Sequence, residues 1–270
     1  MKKNVLSAGT PRAGRFRLFP FYIGFILVVM YIPILLVIIY SFNQSRLSSV
    51  WSGFTLSWYA ELFRDRSMFE ALRNSLVLGL LSSFAAAFIG VLGASGMARA
   101  RPPGGTVMEF LSILPIMTPE IILGMTFLAF FSLLALPFGM LTLVIAHTAY
   151  CVPYVYLLVK ARLAGLDKSY VEAARILGAS DMRAFYDITL PLMLPAVVSG
   201  MLISFAMSFD DVIISVFVTG VHTNTLPIKI YSQIKTGVTP KTNALCTLLF
   251  ALTLILCLVS AALARPRSNR

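Results

Sequence analysis

The chain has 270 residues, 58% of them hydrophobic and only 12% charged, about half the ~25% charge of a soluble domain. Its 22 basic and 11 acidic residues leave a formal charge of +11; the uncharged runs are too long for a core folded in water, so the excess reads as membrane topology and not as a nucleic-acid surface. Cys151, Cys246 and Cys257 lie in apolar stretches without paired or metal-ligand spacing, which argues against a disulfide framework or a zinc site. His147 and His222 are too far apart to form a local metal motif and read as packing residues.

The first predicted span covers residues 18–42, within 28 uncharged residues between Arg17 and Arg46. Lys2 and Lys3 precede it as in a signal peptide, but the stretch is too long for an h-region and ends in no small-residue cleavage site, so a retained anchor is expected. Trp51, Trp58 and Tyr59 follow in an external loop and suit an interfacial belt or a lid. The second span is placed at 74–98. There Ser82, Ala86 and Gly90 recur every four positions, and Gly93 and Gly96 continue a small-residue surface for close helix packing. No strand precedes these glycines, so they are not a dinucleotide fingerprint.

The 39 uncharged residues between Glu120 and Lys160 would make a helix of ~58 Å, twice the hydrocarbon thickness. A turn at Leu136-Pro137-Phe138-Gly139 divides them into spans 107–134 and 139–161. Spans 192–218 and 242–264 complete six transmembrane helices in an all-α membrane protein: a transmembrane domain 18–264 flanked by tails 1–17 and 265–270. Fifteen of the 22 basic residues fall on the side of the two termini. Both termini are therefore expected in the cytoplasm.

Three acids, Glu120, Asp210 and Asp211, are placed deep in spans, whereas Glu109 is near enough to the cytoplasmic end to reach water. A charge at the membrane centre costs roughly 2.5 to 3.5 kcal/mol even on a lenient scale, so such residues face cavities. Counting residues puts Glu120 ~20 Å and Asp210 ~22 Å from the cytoplasmic surface. Carboxylates from two helices then meet on one level, a position for a cation in transit. Pro119 has no N–H for the carbonyl of Pro115, so a kink or a break just before Glu120 is expected, and a break frees carbonyls that only protein or water can satisfy. On one continuous helix Asp210 and Asp211 point ~100° apart, which leaves one of them for the lumen. Tyr150, Tyr154 and Phe209 offer aromatic faces to alkyl-ammonium groups. The alternative, protonated carboxyls bonded between helices, stays open at this point.

The internal stretch 161–190 is far longer than a helix connection needs. Lys168 to Leu177 is helix-forming, Gly178 is a stop, and Ser180 caps a new helix start. Two short helices with a turn make a projection that a soluble partner can grip.

Within it, Glu172-Ala173-Ala174, Gly178, Ile188 and Leu190-Pro191 match every fixed position of the pattern E-A-A-x3-G-x9-I-x-L-P. The stretch resembles the signature of membrane permeases of bacterial ABC importers. The resemblance implies a type I ABC importer permease fold in the bacterial cytoplasmic (inner) membrane, with these residues coupling to the cleft of an ATPase. The chain has no G-K dipeptide and hence no Walker A loop; ATP and magnesium are then used by a separate ATPase dimer, and this chain is a transport subunit, not an enzyme, that binds no cofactor of its own.

Tyr31-Ile32-Pro33, Ser41-Phe42-Asn43, Trp58-Tyr59, Pro119-Glu120, Ser208-Phe209-Asp210-Asp211, Phe217-Val218-Thr219-Gly220, Leu226 to Tyr231 and Asn243-Ala244-Leu245 extend the likeness over nearly the whole chain. They look like the second permease of spermidine/putrescine importers, the PotC type. Pro-Asp is the expected family form where this chain has Pro119-Glu120, so charge is kept, reach is lengthened and the preferred polyamine is left open. The resemblance implies a second homologous permease, an external polyamine-binding protein and the lipid bilayer as partners, with no role for nucleic acid. A permease for another cationic or small solute is the alternative reading, and a secondary cation transporter leaves the loop signature unexplained.

Overall fold

A computed structural model describes residues 18–46, 50–100, 102–167 and 169–263. The predicted tails 1–17 and 265–270, the end of the sixth span at Ala264 and the Lys168 start of the loop helix lie outside the described residues. In chain order the helices are α1 (Leu18–Tyr40), α2 (Ser57–Arg64), α3 (Arg66–Ala100), α4 (Gly105–Met117), α5 (Glu120–Leu133), α6 (Met140–Ala164), α7 (Ser169–Ile176) and α8 (Asp181–Ala184). A π turn (Phe185–Thr189) leads into α9 (Leu190–Asp210), and α10 (Ile213–Val218), α11 (Leu226–Thr236) and α12 (Pro240–Leu263) follow. Among the described residues, β pairing is confined to one isolated bridge between Asn43 and Phe54.

Among the described residues, four helical runs are long and apolar enough to cross a membrane: Pro20–Tyr40, Arg66–Ala100, Met140–Ala164 and Asp181–Asp210. A fifth is formed if α4 and α5, bent by 108°, count as one span. The sixth predicted span falls on α12, whose apolar stretch Pro240–Ile255 is shorter. Two predicted spans are not continuous. The one at 107–134 breaks at Thr118 and Pro119, and the one at 192–218 stops at Asp210.

The first break follows from proline chemistry. Thr118 is extended (φ −89°, ψ 129°), the conformation that a following proline enforces. Its hydroxyl donates to the carbonyl of Leu114 at 2.8 Å, satisfying part of the helix end that Pro119 cannot serve. The turn at Leu136 to Gly139 lies between α5 and α6, where it was expected. Leu136 N–H donates to the Phe131 carbonyl and Ala135 N–H to Ser132, with Ala135 left-handed at φ 51°, the bond pair of a Schellman C-cap.

The helices group into two compact units, Met1–Arg64 with Thr236–Arg270, and Asp65–Lys235. In the first, α12 packs on α1 and α2. The surface of α1 is apolar and open, with Phe21 79% and Met30 67% exposed, as suits a helix surrounded by lipid. Its end is capped by a loop. Trp58 donates its indole N–H to the Asn43 carbonyl at 2.8 Å, Ser41 and Tyr59 share a hydroxyl bond of 2.7 Å, and Phe42 stacks on Phe54. Trp51 meets Tyr40 edge to face.

The second unit is built around α3, α6 and α9. Val155 of α6 sits between two glycines. A Cβ at Gly90 of α3 would come within 2.9 Å of Val155 Cβ, and one at Gly200 of α9 within 3.1 Å of Val155 Cα. Ser82 and Ala86 are fully buried on the same stripe. The predicted small-residue surface ends before Gly96, whose Cβ position is open. Cys151 is buried in this core and Cys246 half-buried, both as free thiols; the side chain of Cys257 is outside the described residues.

Candidate functional site

Glu120 opens α5, so the proline break delivers its carboxylate at a helix N-terminus, where backbone N–H groups and the helix dipole favour negative charge. Tyr150, near the middle of α6, donates its hydroxyl to Glu120 Oε1 at 2.9 Å. Asp210 is the last residue of α9, and Asp211 turns the chain with an extended backbone (φ −69°, ψ 130°). These four residues line one pocket of about 480 Å³, together with Ala206, Met207, Val212 and Ile213. The two carboxylate-bearing segments that residue counting placed on one level do converge.

The paired aspartates are not two positions of a continuous helix. Asp210 is exposed, whereas Asp211 is 8% exposed and its carboxylate accepts from Ile214 N–H (3.2 Å), Ser215 N–H (2.8 Å) and the Ser215 hydroxyl (2.8 Å). Those bonds satisfy the first free donors of α10, as an N-capping aspartate does. Tyr154 packs against the core and edge-on to Tyr150 at 5.9 Å, and Phe209 stacks on Phe205; neither lines the pocket.

His147, read from sequence as a packing residue, holds a polar chain beside this pocket. It is fully buried, with Nδ1 at 2.8 Å from Ser208 Oγ and Nε2 at 3.0 Å from Ser215 Oγ. Ser82 on α3 reaches Ser208 at 3.0 Å. Because the Ser215 hydroxyl donates to Asp211, it must accept from His147 Nε2–H, which leaves Nδ1 to accept from Ser208. One direction then runs from Ser208 through His147 and Ser215 to Asp211, with the Ser82 hydroxyl, which also reaches the Leu78 carbonyl at 2.7 Å, beside Ser208. The signal available in sequence was weak: a lone histidine in an apolar helix requires two polar partners once buried, but nothing local names them.

The loop between α6 and α9 is organised by its caps. The Asp167 carboxylate accepts from Ser169 N–H at 2.9 Å, and this bond to the charged form holds its pKa below the usual carboxylate range. Glu172, Ala173 and Ala174 lie in α7. Gly178 ends it in the left-handed region (φ 85°), with Ala179 N–H donating to Ala174 and Gly178 N–H to Arg175, again the Schellman pair. Ser180 caps α8 through Arg183 N–H, and Arg175 pairs with Asp181 at 2.8 Å. Ile188 lies in the π turn, and Leu190-Pro191 opens α9. Leu190 N–H reaches back five residues to Phe185, the wide spacing of a π turn, at the point where Pro191 offers no donor. Glu172 and Ile188 line a cavity of about 410 Å³ under the loop, while Ile176 and Leu177 stand 86% and 88% exposed.

Residues 86–267 match the family described as binding-protein-dependent transport system inner membrane component. The chain is 39% identical over 240 residues to the spermidine/putrescine transport system permease protein PotC of Escherichia coli (strain K12), covering 89% of this chain and 91% of that one. It is 40% identical over 227 residues to the putrescine transport system permease protein PotI of the same strain, 82% of this chain and 81% of that one. The fold resembles a chain of a bacterial ABC transporter involved in the import of the acidic polysaccharide alginate, with a TM-score of 0.71 at 16% identity over 96% of this chain and 100% of that chain. It also resembles a chain of the MetNI methionine ABC transporter, with a TM-score of 0.57 at 18% identity over 77% and 95%.

Proposed function

The chain belongs to the family of inner-membrane components of binding-protein-dependent transport systems, and on that premise we propose that it forms half of the translocation path of an ATP-driven polyamine importer. The observation that carries this reading is the convergence of Glu120, Tyr150 and Asp210 on one pocket at two helix breaks. Polyamines are flexible chains bearing two or more positive charges. Separated carboxylates attach such a chain weakly at several points, which permits release as well as capture. Tyr150 keeps Glu120 aimed into the pocket, and Ala206, Met207, Val212 and Ile213 offer an apolar lining for methylene segments.

In this reading the chain crosses the membrane six times with both termini in the cytoplasm, and α4 with α5 forms one broken span. A second permease completes the path, and an external binding protein delivers the substrate. One structural neighbour is a bacterial alginate ABC transporter in complex with a substrate-bound periplasmic protein, which supports that plan. The segment from α7 through α8 and the π turn to the start of α9, carrying Glu172, Ala173, Ala174, Gly178, Ile188, Leu190 and Pro191, couples to a separate ATPase. The exposed Ile176 and Leu177 give that ATPase an apolar contact next to the glycine cap.

Proteoliposomes containing this chain, the second permease, the ATPase dimer and the binding protein test the proposal. Uptake of labelled spermidine or putrescine is expected only with ATP inside and binding protein outside, and Glu120→Gln or Asp210→Asn should reduce it while the complex still assembles. Unchanged uptake in both variants and in their combination would refute the acidic path.

A further inference from the structure

His147 and Tyr150 are three residues apart on α6 and so share one face of that helix. Tyr150 anchors Glu120 at the start of α5, and His147 anchors Ser208 in the last turn of α9 and Ser215 in α10. A single turn of α6 therefore holds both helix breaks that border the acidic pocket. We propose that His147 is a positioning residue, which pins the two sides of the α9–α10 break so that Asp210 is presented to the pocket while Asp211 is retained in the cap of α10.

The geometry requires a side chain with two polar atoms facing different elements. Without the pin, the break is joined by Asp211 and Val212 alone, the residues between α9 and α10. Asp211 would keep its backbone bonds to Ile214 and Ser215, and Thr142 Oγ1 would still donate to the Val218 carbonyl at the far end of α10, but the side-chain tie between the start of α10 and Ser208 would be gone. The imidazole bridges a gap that neither serine spans, and its burial keeps water from competing for either bond. Its two hydrogen bonds are complete in the neutral Nε2–H form, so the pin needs no charge; Nε2 also lies 3.4 Å from Asp211 Oδ2, and neither bond draws on Glu120 or Asp210. The consequence for uptake rests on the polyamine-path reading; the geometric claim does not.

The test uses the reconstituted complex and two kinds of variant. His147→Phe keeps ring volume and removes both pins. Ser208→Ala with Ser215→Ala keeps the imidazole and removes its partners. Each is combined with Asp210→Cys in a chain whose native cysteines are replaced by serine, and the new thiol is titrated with a cationic methanethiosulfonate reagent. A change of about fivefold or more in labelling rate is expected for both variants, and in the Asp210 background a half-saturating polyamine concentration raised about tenfold at a maximal rate that stays close to the unmodified one. A packing role alone would lower the yield of complex and leave both quantities unchanged, which overturns the proposal. If His147→Phe does not assemble, the serine pair decides. Unaltered labelling alongside lost uptake in Asp210→Asn sinks the pin and spares the path; altered labelling alongside normal uptake in Asp210→Asn sinks the path and spares the pin.

Discussion

The hydroxyl of Tyr150 lies 2.9 Å from Oε1 of Glu120, so the middle of one long helix fixes the first residue of another that begins only because a proline has ended its predecessor. The bond uses one oxygen of a carboxylate that can accept at two, and the second oxygen stays available. Tyr150→Phe keeps the ring and removes the bond. The expected result is a several-fold rise in half-saturating substrate, roughly 1 kcal/mol, with little change in the amount of assembled complex. Concentration-dependent uptake measures it.

The two aspartates are expected to separate by assay. Asp211→Ala removes the acceptor of Ile214 N–H, Ser215 N–H and the Ser215 hydroxyl and should lower thermal stability by about 1 to 2 kcal/mol, the range of a lost N-cap. Asp211→Asn keeps an acceptor at only one of the two oxygen positions and should recover part of that loss. Asp210→Ala should leave the melting temperature near that of the parent and reduce transport. Equal destabilisation by the two alanine variants would contradict the division of roles.

Three glycines on α3 form an internal series. A methyl group at Gly90 meets Val155 side-chain atoms at 2.9 Å and the Tyr156 nitrogen at 3.1 Å, at Gly93 it makes an ordinary 3.6 Å contact with Tyr156, and at Gly96 it meets nothing within 4 Å. Gly90→Ala should destabilise by about 1 to 3 kcal/mol through overpacking. Gly96→Ala should stabilise by roughly 0.5 to 1 kcal/mol, because the entropy cost of a helical glycine is removed without a clash. Thermal unfolding in detergent distinguishes them, and a loss of stability at Gly96 would show that the stripe extends further than its contacts do.

Gly178 holds a positive φ of 85° at the end of α7, where a β-branched residue is strained. Gly178→Val should unwind the Schellman cap and shift the exposed Ile176 and Leu177 that follow Glu172. Transport is expected to fall much further than ATP hydrolysis by the assembled complex, as it is for Glu172→Lys. A constant ratio of substrate moved to ATP consumed in these variants would count against a coupling role.

Asp167 contributes to α7 through its charged form. Since the bond to Ser169 N–H depresses its pKa, the contribution is complete above the ordinary carboxylate range and lost as the pH falls through the lowered value. Transport from pH 6 upward should therefore show no pH dependence from this cap, and Asp167→Asn should give the same flat profile there. A steep pH dependence near neutrality that disappears in Asp167→Asn would contradict the sign.

Local chemistry made much of the architecture legible. A proline without a donor ended α4 before Glu120, a glycine with positive φ and a capping serine shaped the loop at Gly178 and Ser180, and the turn before Gly139 divided a run too long for one span. Each of these depends on atoms within a few residues, so residue type and order were sufficient. The α9–α10 break was not legible, because Asp211 caps through residues that a helical pattern reads equally well as a continuing helix. His147 was missed for a related reason: Ser208 is 61 residues away and Ser215 is 68, and a polar pair has no sequence signature until the backbone brings it into hydrogen-bond range. Sequence alone thus determined a membrane chain with its acids, breaks and caps. Only the tertiary structure brought Glu120 and Asp210 to one pocket and set His147 between Ser208 and Ser215, since those groups come from separate helices.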